Sequence, residues 1–227
     1  MDKTIRTIRK AITEAKNGVI PAIVLVVDTN ILADIGWSRD QNTVRLIEHA
    51  AKFPMLFVCC PSICAIEFKM VTQTEVKSLK KFREDFNKVF HEIKRYEIGN
   101  ADKIVEGFSA IKGYFDELVD ELRRAPLFVL DKLSPVLYIF DNPLPIQHTV
   151  AYYVSNDPEY DLQYKDALVF SFVKLVGKSI EHESRVIFLT KDMDFNAEKI
   201  LKELNEVGVE VYFNSGECLQ RVKDLLA

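Results

Sequence analysis

The chain has 227 residues, of which 48% are hydrophobic and 28% charged, with only 8 Gly and 8 Pro. That composition excludes collagen-like, low-complexity and intrinsically disordered chains, and the length suits one large domain or one domain carrying an insertion. Lys plus Arg number 30 against 34 Asp plus Glu, a net charge of −4, so the global basic field of many nucleic-acid binders is absent.

The opening segment MDKTIRTIRKAITEAKNG is charged throughout and has no apolar core, which predicts no secretory signal. The longest apolar run, Val19 to Val27, is interrupted by Pro21 and is shorter than the ~20 residues a bilayer crossing needs. A cytoplasmic protein with no membrane partner is the expectation. Cys59, Cys60, Cys64 and Cys218 fit no zinc spacing, and Cys59 and Cys60 read as small buried hydrophobes.

In chain order, Ile5, Ile8, Ile12 and Ala15 recur at helical spacing and predict an amphipathic helix over 3–16. Ile20 to Val27 is a β-branched apolar run, the signature of a strand covered on both faces. A helix is expected over 43–52. Met55 to Cys60 reads as a second buried strand stopped by Pro61, with Ser62 capping a helix that carries Ile63, Ile66 and Glu67. From 76 to 124 two apolar stripes, Leu79–Phe82–Phe86–Val89 and Ile111–Phe115–Leu118–Leu122, predict antiparallel helices turning at Gly99 and Asn100. Residues 126–161 are punctuated by Pro and yield no assignment. A helix over 165–176, a strand over 186–189, a helix over 196–207 ended by Gly208 and a strand over 209–213 complete the chain. Alternating strands and helices imply an α/β fold with a mostly parallel sheet of about five strands. The helices over 76–124 would then be an insertion within a single domain, 1–227.

Ligands in such sheets bind at the carboxyl ends of the strands, and acids fall there repeatedly. Asp28 ends the first strand in IVLVVDTN, Glu67 opens the helix after the second, Asp166 begins the helix LQYKDALVF, and Asp192 and Asp194 follow a strand in VIFLTKDMDF. Singly, each has an ordinary role as a helix cap or a charge favoured at a helix N-terminus. Together they would repel one another unless a cation sits among them, and an oxygen-only set suits Mg²⁺ or Mn²⁺. Hydrolysis of a phosphodiester is the natural chemistry of such a site.

VVDTNIL, the Glu after the second strand, KDAL and FLTKDMDF together resemble the PIN-domain nucleases over about 24–213. The resemblance implies a Rossmann-like sheet and a metal-dependent endoribonuclease that leaves a 5′-phosphate and a 3′-hydroxyl. It maps the family's acidic quartet onto Asp28, Glu67, Asp166 and Asp192, with Asp194 as an alternative or supplementary ligand. Thr29 and Asn30, or Thr190, would orient those carboxylates. The helix before the first strand and the 99 positions from Glu67 to Asp166 depart from the small toxin-type members. The chain is more similar to the larger bacterial PIN proteins, so a toxin role does not carry over by default.

Positive charge is locally concentrated. Lys80, Lys88 and Arg95 fall off the Phe stripe, and Lys165 and Lys191 adjoin the acids. These five are the residues expected to guide RNA, with single-stranded DNA left open as a second substrate. Trp37 reads as a packing residue or a base-stacking one. The aromatic content leaves room for a homodimer, and an inhibitory protein partner stays open. Two other readings compete: a PIN-fold module that binds RNA or protein without cutting, and a phosphatase of the haloacid dehalogenase type. The latter wants an Asp two positions after Asp28, where this chain has Asn30.

Overall fold

The computed structural model describes residues 3–93, 95, 101–133, 136–140, 145–180 and 182–227. It divides into two compact units, Met1–Phe68 with Val129–Ala227, and Lys69–Phe128.

The first unit is built on five parallel strands: β1 (Ile23–Val27), β2 (Leu56–Pro61), β3 (Leu137–Phe140), β4 (Arg185–Leu189) and β5 (Val209–Tyr212), in the order β3-β2-β1-β4-β5. Every residue of β1 and β2 is buried, as expected of apolar strands covered on both faces. The fold is thus α/β with helices flanking an all-parallel sheet, consistent with a Rossmann-like arrangement. The helices in chain order are α1 (Lys3–Ala15), α2 (Thr29–Gly36), α3 (Gln41–Lys52), α4 (Ser62–Ile93), α5 (Ala101–Leu133), α6 (Pro145–Ser155), α7 (Tyr164–Ser179), α8 (Glu198–Glu206) and α9 (Ser215–Leu226). The stripe of α1 is real: Ile8 and Ile12 are buried, and α1 packs on α7.

Several boundaries differ from the sequence reading for identifiable reasons. β1 begins at Ile23 rather than Ile20, because Gly18 (φ 88°) and Pro21 hold the approach in a turn. Pro61 does not stop β2 but is its last residue, in register with Phe140. The helix at Ser62 and the one expected from Val76 are a single helix, α4, since no Gly or Pro separates them. A full helix, α2, follows Asp28. The unassigned stretch contains β3 and α6, and α9 was not anticipated. β3 hid because it is a four-residue edge strand with Tyr138 exposed.

The second unit contains the parts of α4 and α5 between Lys69 and Phe128. Phe82 and Phe86 meet Phe115 edge-on, with ring centroids 5.3 and 5.6 Å apart. Val76, Val119 and Leu122 are buried alongside. The antiparallel expectation holds for this pair, while the turn at Gly99 and Asn100 lies outside the described residues.

No helix among the described residues is long and apolar enough to cross a membrane. All four cysteines are reduced and buried.

Candidate metal centre

The strand order reverses direction between β1 and β4, and a parallel sheet opens a crevice at such a point, outside the strands' carboxyl ends. β1 and β4 run in register from Ile23 opposite Arg185 to Val27 opposite Leu189, so the next residues emerge side by side. Those residues are Asp28 and Thr190. The Thr190 hydroxyl donates to Asp28 Oδ2 at 2.7 Å, and both side chains are buried.

Asp28 also performs the ordinary duty foreseen for it. It is the N-cap of α2, and its Oδ1 accepts from Thr29 N at 2.5 Å, with the Cys64 thiol 3.8 Å away. A carboxylate offers about four lone-pair sites, so these three donors leave capacity for one further partner. Thr29 in turn donates from its hydroxyl to Glu67 Oε2 at 2.7 Å, linking the end of β1 to the start of α4. Thr29 and Thr190 therefore do orient acids. Asn30 is exposed and makes no hydrogen bond to them among the described residues.

Asp166 lies in the first turn of α7 and is only 8% exposed. Asp192 caps the 3₁₀ turn Met193–Asn196 by accepting from Asp194 N at 3.0 Å, and its own N–H donates to Thr190 Oγ1 at 3.0 Å. Carboxylate oxygens of Asp166, Asp192 and Asp194 lie within 4.8 Å of one another. The sequence left Asp194 as an alternative to Asp192; the geometry brings both to Asp166.

Electrostatics express the crowding. Burial pushes the Asp28 carboxyl up, and Asp192 and Glu67 add to the rise, against the pull of the Thr190 and Thr29 hydrogen bonds. Asp166 is pushed up to about 6, chiefly by burial and then by Asp192, Glu67 and Asp28, with Lys165 opposing. Five carboxylates thus share one rim, and Lys165 stands among them with its ammonium on Glu67 Oε1.

The donor set fits a hard divalent cation. All its atoms are carboxylate oxygens, and octahedral Mg²⁺ at 2.0–2.1 Å per bond holds opposite ligands roughly 4.2 Å apart, close to the observed spread. Asp166, Asp192 and Asp194 would hold such an ion, with Asp28 and Glu67 completing the rim.

The basic residues fare differently. Lys165 stands among the acids as expected. Lys191 is committed elsewhere: its ammonium pairs with Asp34 at 2.5 Å and Asp40 at 2.9 Å, and Ser215 also donates to Asp40. Asp34 and Asp40 carried no motif, and only the fold reveals them. Lys88 and Arg95 each pair with an acid one turn away, Asp85 and Glu92, at 2.9 Å. Trp37 is a packing residue, 6.0 Å from the Phe68 ring and covered by Arg39.

Comparison with protein-family models, with curated proteins and with solved structures returns no match.

Proposed function

We propose that the protein is a divalent-metal-dependent endonuclease that hydrolyses RNA. The observation that carries this reading is the five-carboxylate rim at the switch point of the sheet, with Asp166, Asp192 and Asp194 close enough to share one ion. Mg²⁺ or Mn²⁺ bound there would lower the pKa of a coordinated water and offset charge on the phosphodiester. The protein's own part is preorganisation. Thr190 and Thr29 N fix the Asp28 carboxylate, the Thr29 hydroxyl fixes Glu67, and Thr190 also holds the Asp192 backbone. A network tied at so many points keeps its oxygens aimed inward at little reorganisation cost. Lys165, beside Asp166, supplies a cation for the phosphate entering the rim.

The test is cleavage of labelled RNA and single-stranded DNA with Mn²⁺, with Mg²⁺ and with chelator. Asp28→Asn and Asp166→Asn are each expected to cut at least a hundredfold more slowly than wild type, as removal of a preorganised electrostatic group commonly does. Unchanged cleavage by both variants, or full activity in chelator, would overturn the reading. Mn²⁺ binding without cleavage would favour a module that holds RNA but does not cut it.

A further inference from the structure

We propose that the groove between α4 and α5 in the second unit binds the phosphate backbone of a single-stranded nucleic acid. This rests on the endonuclease reading for its choice of nucleic acid among polyanions, and it names where that polymer is gripped.

The groove encloses about 490 Å³ and is lined by Lys69, Lys77 and Lys80 from α4 and Arg123 from α5, over Thr72 and Gln73. No carboxylate is among its lining residues. The arrangement follows from helix geometry. Positions 69, 73, 77 and 80 recur every three or four residues and so share one face of α4. The antiparallel course of α5 then brings Arg123 to that face. At ~1.5 Å of rise per residue, the three lysines extend along about 16 Å of helix.

Charge in this unit is sorted rather than abundant. Residues 69–128 carry 12 Lys and Arg against 11 Asp and Glu, so no overall field accounts for a four-cation groove. Lys88 and Arg95 are neutralised within their own helix turn at 2.9 Å. Lys69, Lys77 and Lys80 have no hydrogen-bond or ion-pair partner among the described residues, and all three are exposed. Arg123 has only a 3.7 Å contact with Asp120 between two exposed side chains, an interaction worth little. Three unpaired lysines and a weakly paired arginine held in one concavity repel one another, and an extended polyanion relieves all of them at once.

Lysine ammoniums are point charges that grip phosphate without fixed geometry, while the exposed Gln73 offers a side chain of the kind that contacts phosphate oxygens. Spaced single charges along one helix face match a single sugar-phosphate chain. Its one apolar lining side chain, Val76, is buried in the helix pair and offers no separate seat for the residues of a peptide.

The test uses the full chain in chelator, with fluorescence anisotropy of labelled single-stranded RNA, single-stranded DNA and polyglutamate over a series of salt concentrations. The groove variant is Lys69→Gln/Lys77→Gln/Lys80→Gln. The control is Lys88→Gln/Lys103→Gln/Lys112→Gln, which removes the same charge from exposed positions outside the groove. Thermal melts confirm that both fold. The groove variant is expected to bind RNA at least tenfold more weakly at low salt. Its log–log salt slope should be shallower by about 2, since each phosphate contact on a single strand contributes ~0.7. The control is expected to change affinity less than about threefold. Equal losses in the two variants, no loss in the groove variant, or wild-type preference for polyglutamate would each overturn the proposal. If Mn²⁺ elicits no cleavage while the groove effect persists, the endonuclease reading falls and the groove stands.

Discussion

Asp192→Asn separates a metal-binding rim from an incidental group of acids, because it should raise stability in one condition and lower it in another. Asn keeps the oxygen that caps the 3₁₀ turn through Asp194 N, and the backbone bond from Asp192 N to Thr190 is untouched. What disappears is one negative charge within 4.8 Å of Asp166 and Asp194. Coulomb's law at that separation gives about 3.5 kcal/mol per pair at an effective dielectric of 20 and about 0.9 kcal/mol in bulk water. Asp192 is half-buried and Asp194 exposed, so a gain of ~1–2 kcal/mol is expected without metal, a rise of roughly 3–6 °C for a chain of this size. With Mn²⁺ at ~100 times its Kd, the wild type gains about 2.7 kcal/mol. The variant should lose about 1.3 kcal/mol of that for a first tenfold loss of affinity. Differential scanning fluorimetry with and without Mn²⁺ reads both effects. A variant that melts no higher than wild type in chelator and keeps the full Mn²⁺ shift refutes the reasoning.

Three further outcomes follow from the same geometry. Lys165→Gln removes the cation from Glu67, so Mn²⁺ should bind several-fold more tightly in an electron paramagnetic resonance titration, with stability falling by no more than ~1 kcal/mol; weaker Mn²⁺ binding would refute competition for Glu67. Burial favours a neutral Asp40, but Lys191, Ser215 and Asn42 N outweigh it and hold the carboxyl down at about 2. A depressed folded pKa means that this stabilisation is complete above the unfolded value of ~3.9 and is lost as pH falls through 2, so Asp40→Asn should cost ~1 kcal/mol at neutral pH and flatten acid melts between roughly pH 4 and 2. Gly177→Ala would place a Cβ 2.8 Å from Val207 O and from Val209 Cγ2, which should destabilise by ~1–3 kcal/mol in a urea melt; an unchanged midpoint would mean that α7 and β5 pack more loosely than described.

Most of the sheet is legible in the sequence because its inner strands are buried on both faces, and an unbroken apolar run such as IVLVV has few other uses. The acids were legible for a related reason: Asp28 and Asp192 stand where such a run ends, and Glu67 and Asp166 where a helix opens. Helix α4 was read in two pieces because the polar stretch Thr72–Glu75 interrupts the apolar pattern between Phe68 and Val76, and periodicity alone does not distinguish a polar patch from a break. β3 and α6 lie in a Pro-rich stretch whose local signals favour turns, and only pairing with β2 and packing on α7 specify them. Partners distant in sequence carried no local signal. Lys191 looked available for phosphate until the fold brought Asp34 and Asp40 to it, and Arg123 joins Lys80 only through the helix pair.

The central position of β1 also governs the order in which the chain can be completed. One edge of β1 pairs with β2, but the other waits for β4, whose partner residues lie 162 positions later. At 5–20 residues per second of synthesis, roughly 8–32 s pass between the two strands. Throughout that interval an apolar strand has one edge open, and the Asp28 carboxylate lacks its Thr190 partner. The acidic rim therefore comes together among the last parts of the molecule, and a chain cut short before residue 185 would carry the first aspartate on a sheet with an unguarded, aggregation-prone edge.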